Sequence, residues 1–297
     1  MPPTQLRMTG EFSMPSPKGP QRALLIPAPP KCASQTLAAL LSDHLDAPVV
    51  RHKTTKGFGH LLLDVPELGR RERWLHRIRF QQQHKRLLVY GHYPASHHNL
   101  KQLKQRYSTA AVVMPVRPLG ALLCSLIHHT RRKNYGPLDL RCPGLTDGIP
   151  DLHQRSESDL FHLLGILYLP QIHLLIRSWI EAAKANNLPL FFVPFESITG
   201  AQTELLAKIN SLLPEDYQNA ARPHAKNNAV KVNLSVTRKI KTSDIASDQR
   251  ESVNAIATKL LGCDDSLGDL LAYLLSDLHS SNKKCVAPMT WHFNKQQ

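Results

Sequence analysis

Apolar residues along this chain fall into short runs and helical stripes that alternate with one another. Arg22 to Pro27 (RALLIP) is an apolar run ahead of a Pro-rich turn and predicts a buried strand. Ser34 to Leu45 carries Leu37, Leu40, Leu41 and Leu45 at spacings of three and four, which predicts a helix. Arg86 to Tyr90 (RLLVY) and Thr109 to Pro115 (TAAVVMP) predict two more buried strands, with a basic helical stretch, Asn99 to Arg106, between them. Pro118 to Arg132 opens on a proline suited to a first helical turn and continues with Leu119, Leu122, Leu123 and Leu126. Lys133 to Asp159, rich in Gly, Pro and Asp, predicts a long surface loop. A long helix, about Tyr168 to Asn186, leads into Leu188 to Pro194 (LPLFFVP), the clearest strand in the chain. The remainder predicts helices at Gln202 to Leu213 and within Asp248 to Leu278, with a basic polar stretch at Ala220 to Thr242.

Strands alternating with helices imply an α/β fold: a single domain with a central parallel sheet flanked by helices on both faces. That domain is expected to span residues 22–280, between a disordered N-terminal segment at 1–21 and a C-terminal tail at 281–297. No internal repeat is visible. Leu160 to Ile176 is apolar but contains His162, Pro170, Gln171 and His173, so it predicts a buried helix, not a transmembrane span. Met1 to Gln21 lacks the apolar core of a signal peptide. The expected compartment is cytoplasmic, with peripheral membrane contact left open.

Composition narrows the class further. Hydrophobic residues make up 42% and charged residues 20%, a balance that supports a folded core. Five cysteines in 297 residues do not make a disulfide scaffold, and neither C-x-x-C nor paired Cys/His spacing occurs, so no zinc site is expected. The 37 Lys and Arg against 23 Asp and Glu leave a net charge of +14, which calls for an anionic partner: nucleic acid, a phosphorylated cofactor, an acidic glycan or a lipid surface.

Ligands of open α/β sheets gather at the carboxyl ends of strands, where helix N-termini present unbonded N–H groups. Three segments fall there. The first is the turn Pro29 to Thr36, in which Lys31 supplies a point charge, the small residues Cys32, Ala33 and Ser34 allow close backbone approach, and Ser34 and Thr36 carry hydroxyls suited to a phosphate. It is not a Walker A loop, since no glycine lies between Gly19 and Gly57; a plain proline turn with Ser34 as N-cap is the alternative. The second is Tyr90 to Pro94, where His92 leaves a strand end with a side chain suited to taking a proton near neutrality. The third is Arg117 with Ser125 eight residues on, a guanidinium fork and a hydroxyl fit for a second phosphate. A solvated arginine and a packing serine are the alternative there.

In order and spacing, these segments resemble the sulfotransferases that use 3′-phosphoadenosine 5′-phosphosulfate (PAPS), a group with P-loop NTPase-like architecture. Pro30 to Leu37 resembles that family's 5′-phosphosulfate loop, Tyr90 to Pro94 its catalytic-base segment, and Val116 to Ser125 its 3′-phosphate motif. Leu190 to Ile198 (LFFVPFESI), Val230 to Ser235 and the terminal helical pair are also similar, so the likeness spans roughly residues 22–280. It implies His92 as catalytic base and Lys31 as the group that neutralises the leaving diphosphate. Lys31, Cys32, Ala33, Ser34, Gln35 and Thr36 would hold the 5′-phosphate, and Arg117 and Ser125 the 3′-phosphate. No metal is implied. The acceptor would be a hydroxyl, on an anionic glycan or a glycolipid, and nucleic acid is not an expected partner. The chain departs from the family pattern at Ala33, where glycine is usual and alanine is tolerable if φ stays negative, at Gln35, and at Pro118 directly after Arg117. Two other readings remain open: a nucleic-acid- or polyanion-binding protein without catalysis, and a sulfotransferase-like binder that has lost it.

Several further residues are weighed at this point. His97-His98 and His128-His129 invite a metal, but adjacent helical histidines diverge and no carboxylates accompany them. Glu196 is expected to hold loops by hydrogen bonds. Cys32, beside Lys31, is either a low-pKa thiol or a space-filling residue. The basic runs Arg70 to Arg73, His129 to Lys133 and Lys226 to Lys241 are solvated faces, or guides for an anionic acceptor.

Overall fold

The computed structural model describes residues 21–51, 86–105, 107–131, 154–219, 221, 240–262, 268–278 and 291–292. The expected N-terminal segment up to residue 20, the basic runs at 70–73 and 226–239, and most of the Lys133–Asp159 loop lie outside these residues.

Strand β1 (Gln21–Pro27) is apolar on both sides because it is covered on both sides. It pairs in parallel with β3 (Arg86–Gly91) and with β4 (Tyr107–Val116). Beyond β3 lies β2 (Val49–Arg51), and beyond β4 lies β5 (Leu190–Pro194), which gives five parallel strands in the order β2-β3-β1-β4-β5. A two-residue strand, β6 (Trp291–His292), adds antiparallel to β5, so part of the expected C-terminal tail joins the sheet edge. Register sets the strand ends side by side: Pro27 pairs with Gly91, and Val116 with Pro194.

Side chains alternate between the faces with period two. Leu24 and Ile26, Leu88 and Tyr90, and Phe191 and Val193 join the core beneath α1 (Ser34–Leu45). That face also receives Ile198 of α5 (Phe195–Gly200), Leu205 and Ile209 of α6 (Gln202–Leu212), and Tyr217 of α7 (Glu215–Gln218). Ala23 and Leu25, Leu87 and Val89, and Val112 and Met114 face the other core. That core is closed by α2 (His97–Lys104), α3 (Leu119–Arg131), α4 (Glu157–Asn186), α8 (Ser247–Leu261) and α9 (Gly268–Leu275). The connection through α1 moves outward from β1 to β2, and the one through α2 crosses over β1 to β4. Helices on opposite faces are what right-handed crossovers in opposite directions require.

The long helix α4 joins the predicted buried helix at Leu160–Ile176 to the one at Tyr168–Asn186 and begins three residues before the first of them, at Glu157. The Ser156 hydroxyl accepts from the Asp159 N–H at 3.0 Å, and Glu157 and Asp159 place negative charge in the first turn, both of which favour a helix start there. By length and composition α4 could cross a membrane, but more than half of its apolar stretch is buried inside the fold. Gly165 permits its contact with α8: a Cβ there would lie 2.7 Å from Val253 Cγ2. Near its far end Trp179, fully buried, donates from its indole to the Tyr93 carbonyl at 2.9 Å, and Ser178 Oγ accepts from the Ala95 N–H at 2.9 Å. The chain that leaves β3 is thereby anchored immediately after His92.

Candidate anion site at the strand ends

The turn out of β1 is bent by two left-handed residues, Lys31 at φ 65° and Ala33 at φ 57°. Neither is glycine, and an L-residue in this region costs about 1–2 kcal/mol. The condition for alanine to replace glycine here without strain, a negative φ, is therefore not met at Ala33. Between these two reversed residues the chain drops Cys32 into the core, and α1 starts directly after the second. Cys32 is completely buried, and burial pushes its thiol up to about 12, against a smaller lowering by Arg117. Complete burial argues against a low-pKa thiol and for Cys32 as a space-filling residue.

Ala33 occupies the N-cap of α1, with its carbonyl accepting from the Leu37 N–H at 3.0 Å and no side-chain cap. Ser34, Gln35 and Thr36 form the first turn, whose N–H groups have no intrahelical acceptor, and no acidic residue stands there. Ser34 is consequently not the N-cap that a plain proline turn would need. It is buried, and its hydroxyl donates to the Tyr90 hydroxyl at 3.3 Å, while Gln35 is exposed and Thr36 half-buried.

His92 is half-buried, one residue past β3. Its Nδ1 lies 2.6 Å from the Ala28 carbonyl oxygen. A carbonyl only accepts, so Nδ1 carries the proton and the neutral ring keeps its lone pair on Nε2. Nε2 is 3.5 Å from the Tyr90 hydroxyl. The neighbouring Ala28 N–H donates to the Gly91 carbonyl at 3.0 Å, so the ends of β1 and β3 are fastened to each other at this point.

Arg117, the first residue after β4, reaches back to the β1 loop and donates from Nη1 to the Lys31 carbonyl at 3.2 Å. Its guanidinium carbon stacks 4.2 Å from the centre of the Phe195 ring. Nε is buried and has no hydrogen-bond partner among the described residues. Ser125 stands half-buried two turns into α3, as its spacing predicts.

The amino end of α3 is already occupied. Asp277, after α9, accepts from the Gly120 N–H at 3.0 Å and the Ala121 N–H at 2.5 Å, with the Thr242 hydroxyl 3.3 Å away. Gly120 has to be glycine for this approach, because a Cβ would lie 2.7 Å from Thr242 Cγ2. Burial raises the Asp277 carboxyl above its ordinary range despite those hydrogen bonds. Glu196 accepts from Tyr273 at 2.6 Å, and the same hydroxyl accepts from the Phe195 N–H at 3.2 Å, which ties the end of β5 to α9. Burial first, then Glu196, drives the Tyr273 phenol strongly upward, so it stays a donor.

Lys31, Cys32, Ala33, Ser34, Gln35, Thr36, His92 and Arg117 are thus gathered along the carboxyl ends of three adjacent strands. His97 and His98 open α2, and no group of three or more His, Cys, Asp or Glu side chains able to hold a metal comes together among the described residues. Tyr90, Tyr273 and Asp277 escape a sequence reading. Tyr90 sits in an apolar run where it looks like core, Tyr273 acts on Phe195 and Glu196 from 78 and 77 residues away, and Asp277 acts on Gly120 and Ala121 from 157 and 156.

Two outcomes follow from this geometry. Ala33→Gly should raise stability by up to about 1 kcal/mol in urea unfolding, as the left-handed strain is relieved; a loss would mean that the alanine methyl packs more favourably than its backbone is strained. For Asp277 the folded pKa lies above the unfolded one, so its contribution is greatest in acid and declines as pH rises through the folded value. Asp277→Asn should therefore cost less stability at pH 7 than at pH 4, and the reverse order would show that the hydrogen bonds outweigh burial.

No family model matches this chain, and no curated protein matches it.

Proposed function

We propose that the protein is a PAPS-dependent sulfotransferase with P-loop-like architecture that transfers a sulfonate group to an acceptor hydroxyl. The observation that carries this reading is the meeting of three strand ends: a basic loop feeding an uncapped helix N-terminus, a histidine with Nε2 as its basic nitrogen, and an arginine tied to that loop. An anion at the first turn of α1 would find backbone N–H groups and the positive end of the helix dipole. A second anionic group near Arg117 would find a charged side chain whose buried Nε has no protein partner among the described residues. Because Asp277 fills the N-terminus of α3, that second group would rest on side chains rather than on helix amides.

In the proposed reaction the acceptor hydroxyl gives its proton to His92 Nε2 as its oxygen attacks sulfur. The bond between sulfur and the bridging oxygen of the 5′-phosphate breaks, and Lys31 offsets the charge left on that oxygen. The work is positioning and electrostatics, as in phosphoryl transfer. Arg117 would discriminate a 3′-phosphorylated nucleotide from ordinary adenine nucleotides. The net charge of +14 favours an anionic or membrane-borne glycan as acceptor.

The test is calorimetric titration with 3′-phosphoadenosine 5′-phosphate (PAP). Binding in the micromolar range is expected, weakened by about 2–5 kcal/mol either by Arg117→Ala or by replacing PAP with AMP. His92→Ala should leave PAP binding intact and lower transfer by about 10²–10⁴-fold. Intact PAP binding with no transfer to any hydroxyl would identify a binder without catalysis. A folded protein that ignores PAP would overturn the reading and leave the basic surface, with polyanion binding, as the better account.

A further inference from the structure

Between the loop of β1 and the end of β3 runs a directed line of polar groups inside the α1-side core. The Ser34 hydroxyl donates to the Tyr90 hydroxyl at 3.3 Å. That hydroxyl stands 3.5 Å from His92 Nε2, with the two rings edge to face at 5.8 Å and 78°. His92 Nδ1 in turn meets the Ala28 carbonyl at 2.6 Å. Directions are fixed from the Ala28 end. The Ala28 oxygen can only accept, so Nδ1–H donates; the unprotonated Nε2 can then only accept, and in the contact between them the Tyr90 hydroxyl is the donor. Tyr90 and Ser34 are 3% and 5% exposed, so neither hydroxyl exchanges this arrangement for bulk water at low cost.

We infer that Tyr90 is a positioning residue: its hydroxyl holds the His92 ring with Nε2 as the basic nitrogen and links that nitrogen to Ser34 at the start of α1. The inference rests on the reading of His92 as the base. The line can also reverse. Nε2 has one lone pair, so the Tyr90 hydrogen must turn to Ser34 Oγ, and the Ser34 hydrogen to an acceptor at the helix N-terminus, before Nε2 can take a proton; the protonated Nε2 then donates to the Tyr90 oxygen. No proton is created or lost, because each hydroxyl gives up one hydrogen bond as donor and forms another. A base whose protonated form is stabilised by the same two hydroxyls that meet the anion loop has its orientation tied to the occupancy of that loop.

The ring nitrogens of His92 report this without any substrate. In long-range ¹H–¹⁵N correlation spectra of the free protein, neutral His92 should appear as the Nδ1–H tautomer. Tyr90→Phe should move the Nε2 resonance toward the position of an unbonded imidazole nitrogen while leaving Nδ1 nearly unchanged, and Ser34→Ala should produce a smaller shift of the same sign. Tyr90→Phe keeps the buried ring, so its melting temperature separates a lost hydroxyl from a lost fold. If transfer is established, Tyr90→Phe should also reduce kcat by about 3- to 10-fold, the rate equivalent of one hydrogen bond. An Nε2–H tautomer, or an Nε2 resonance indifferent to Tyr90→Phe in a folded variant, would overturn the inference. Because the spectra need no PAP, a failure of the sulfotransferase reading shows up separately, as missing PAP binding beside an intact Tyr90 effect.

Discussion

Parallel pairing of β1 between β3 and β4 is the constraint on which the rest depends. Parallel strands end together at one edge, and here the register brings Pro27 level with Gly91 while β4 runs on to Val116 beside them. Residues far apart in the chain, Lys31, His92 and Arg117, thereby leave the sheet from adjacent strands at the same edge. Two local bonds then narrow the gap: the Ala28 N–H to the Gly91 carbonyl, and the Arg117 guanidinium to the Lys31 carbonyl. Both use backbone groups of the β1 loop, so the loop cannot shift without disturbing its neighbours.

The loop itself is where local preference yields to the fold. Two non-glycine residues in left-handed backbone are an uncommon expense within three positions, and such strain persists only where surrounding contacts enforce it. Here those contacts are the complete burial of Cys32, the Ser34–Tyr90 hydrogen bond and the hold of Arg117 on Lys31. The result is a helix that begins without a side-chain cap directly after the basic loop. The other helix at this edge is treated in the opposite way: Asp277 closes the amino end of α3 from the far end of the chain. One helix terminus carries no side-chain cap and the other is closed by a carboxylate.

The architecture was largely legible, and the reason is physical. β1, β3, β4 and β5 are buried on both faces, so each reads as an unbroken apolar run, and α1 shows its spacing of three and four because only one face is buried. Short elements such as β2, α5 and α7 contain too few residues for a period to show. The first three residues of α4, Glu157 to Asp159, were hidden because they are polar like the loop before them until the Ser156 cap is recognised. At the site, Lys31, His92 and Arg117 were legible because charge or titration sets them apart from apolar strands. The left-handed state of Ala33 was not, since nothing in an alanine announces it. Nor was the service of Tyr90, which counts equally well as a core aromatic, or of Asp277, whose partners lie 157 and 156 residues away.

Taken together, the sheet supplies placement, the strained loop supplies donors, and Arg117 and His92 supply charge and a basic nitrogen at the same edge. The most direct measurement of whether these act as one site is a ¹H–¹⁵N amide map of the protein titrated with PAP. The account predicts concerted changes at Lys31 to Thr36, at Gly91 and His92, and at Arg117, all following a single binding curve. Changes confined to residues away from the strand ends, or curves that differ among the three segments, would contradict it.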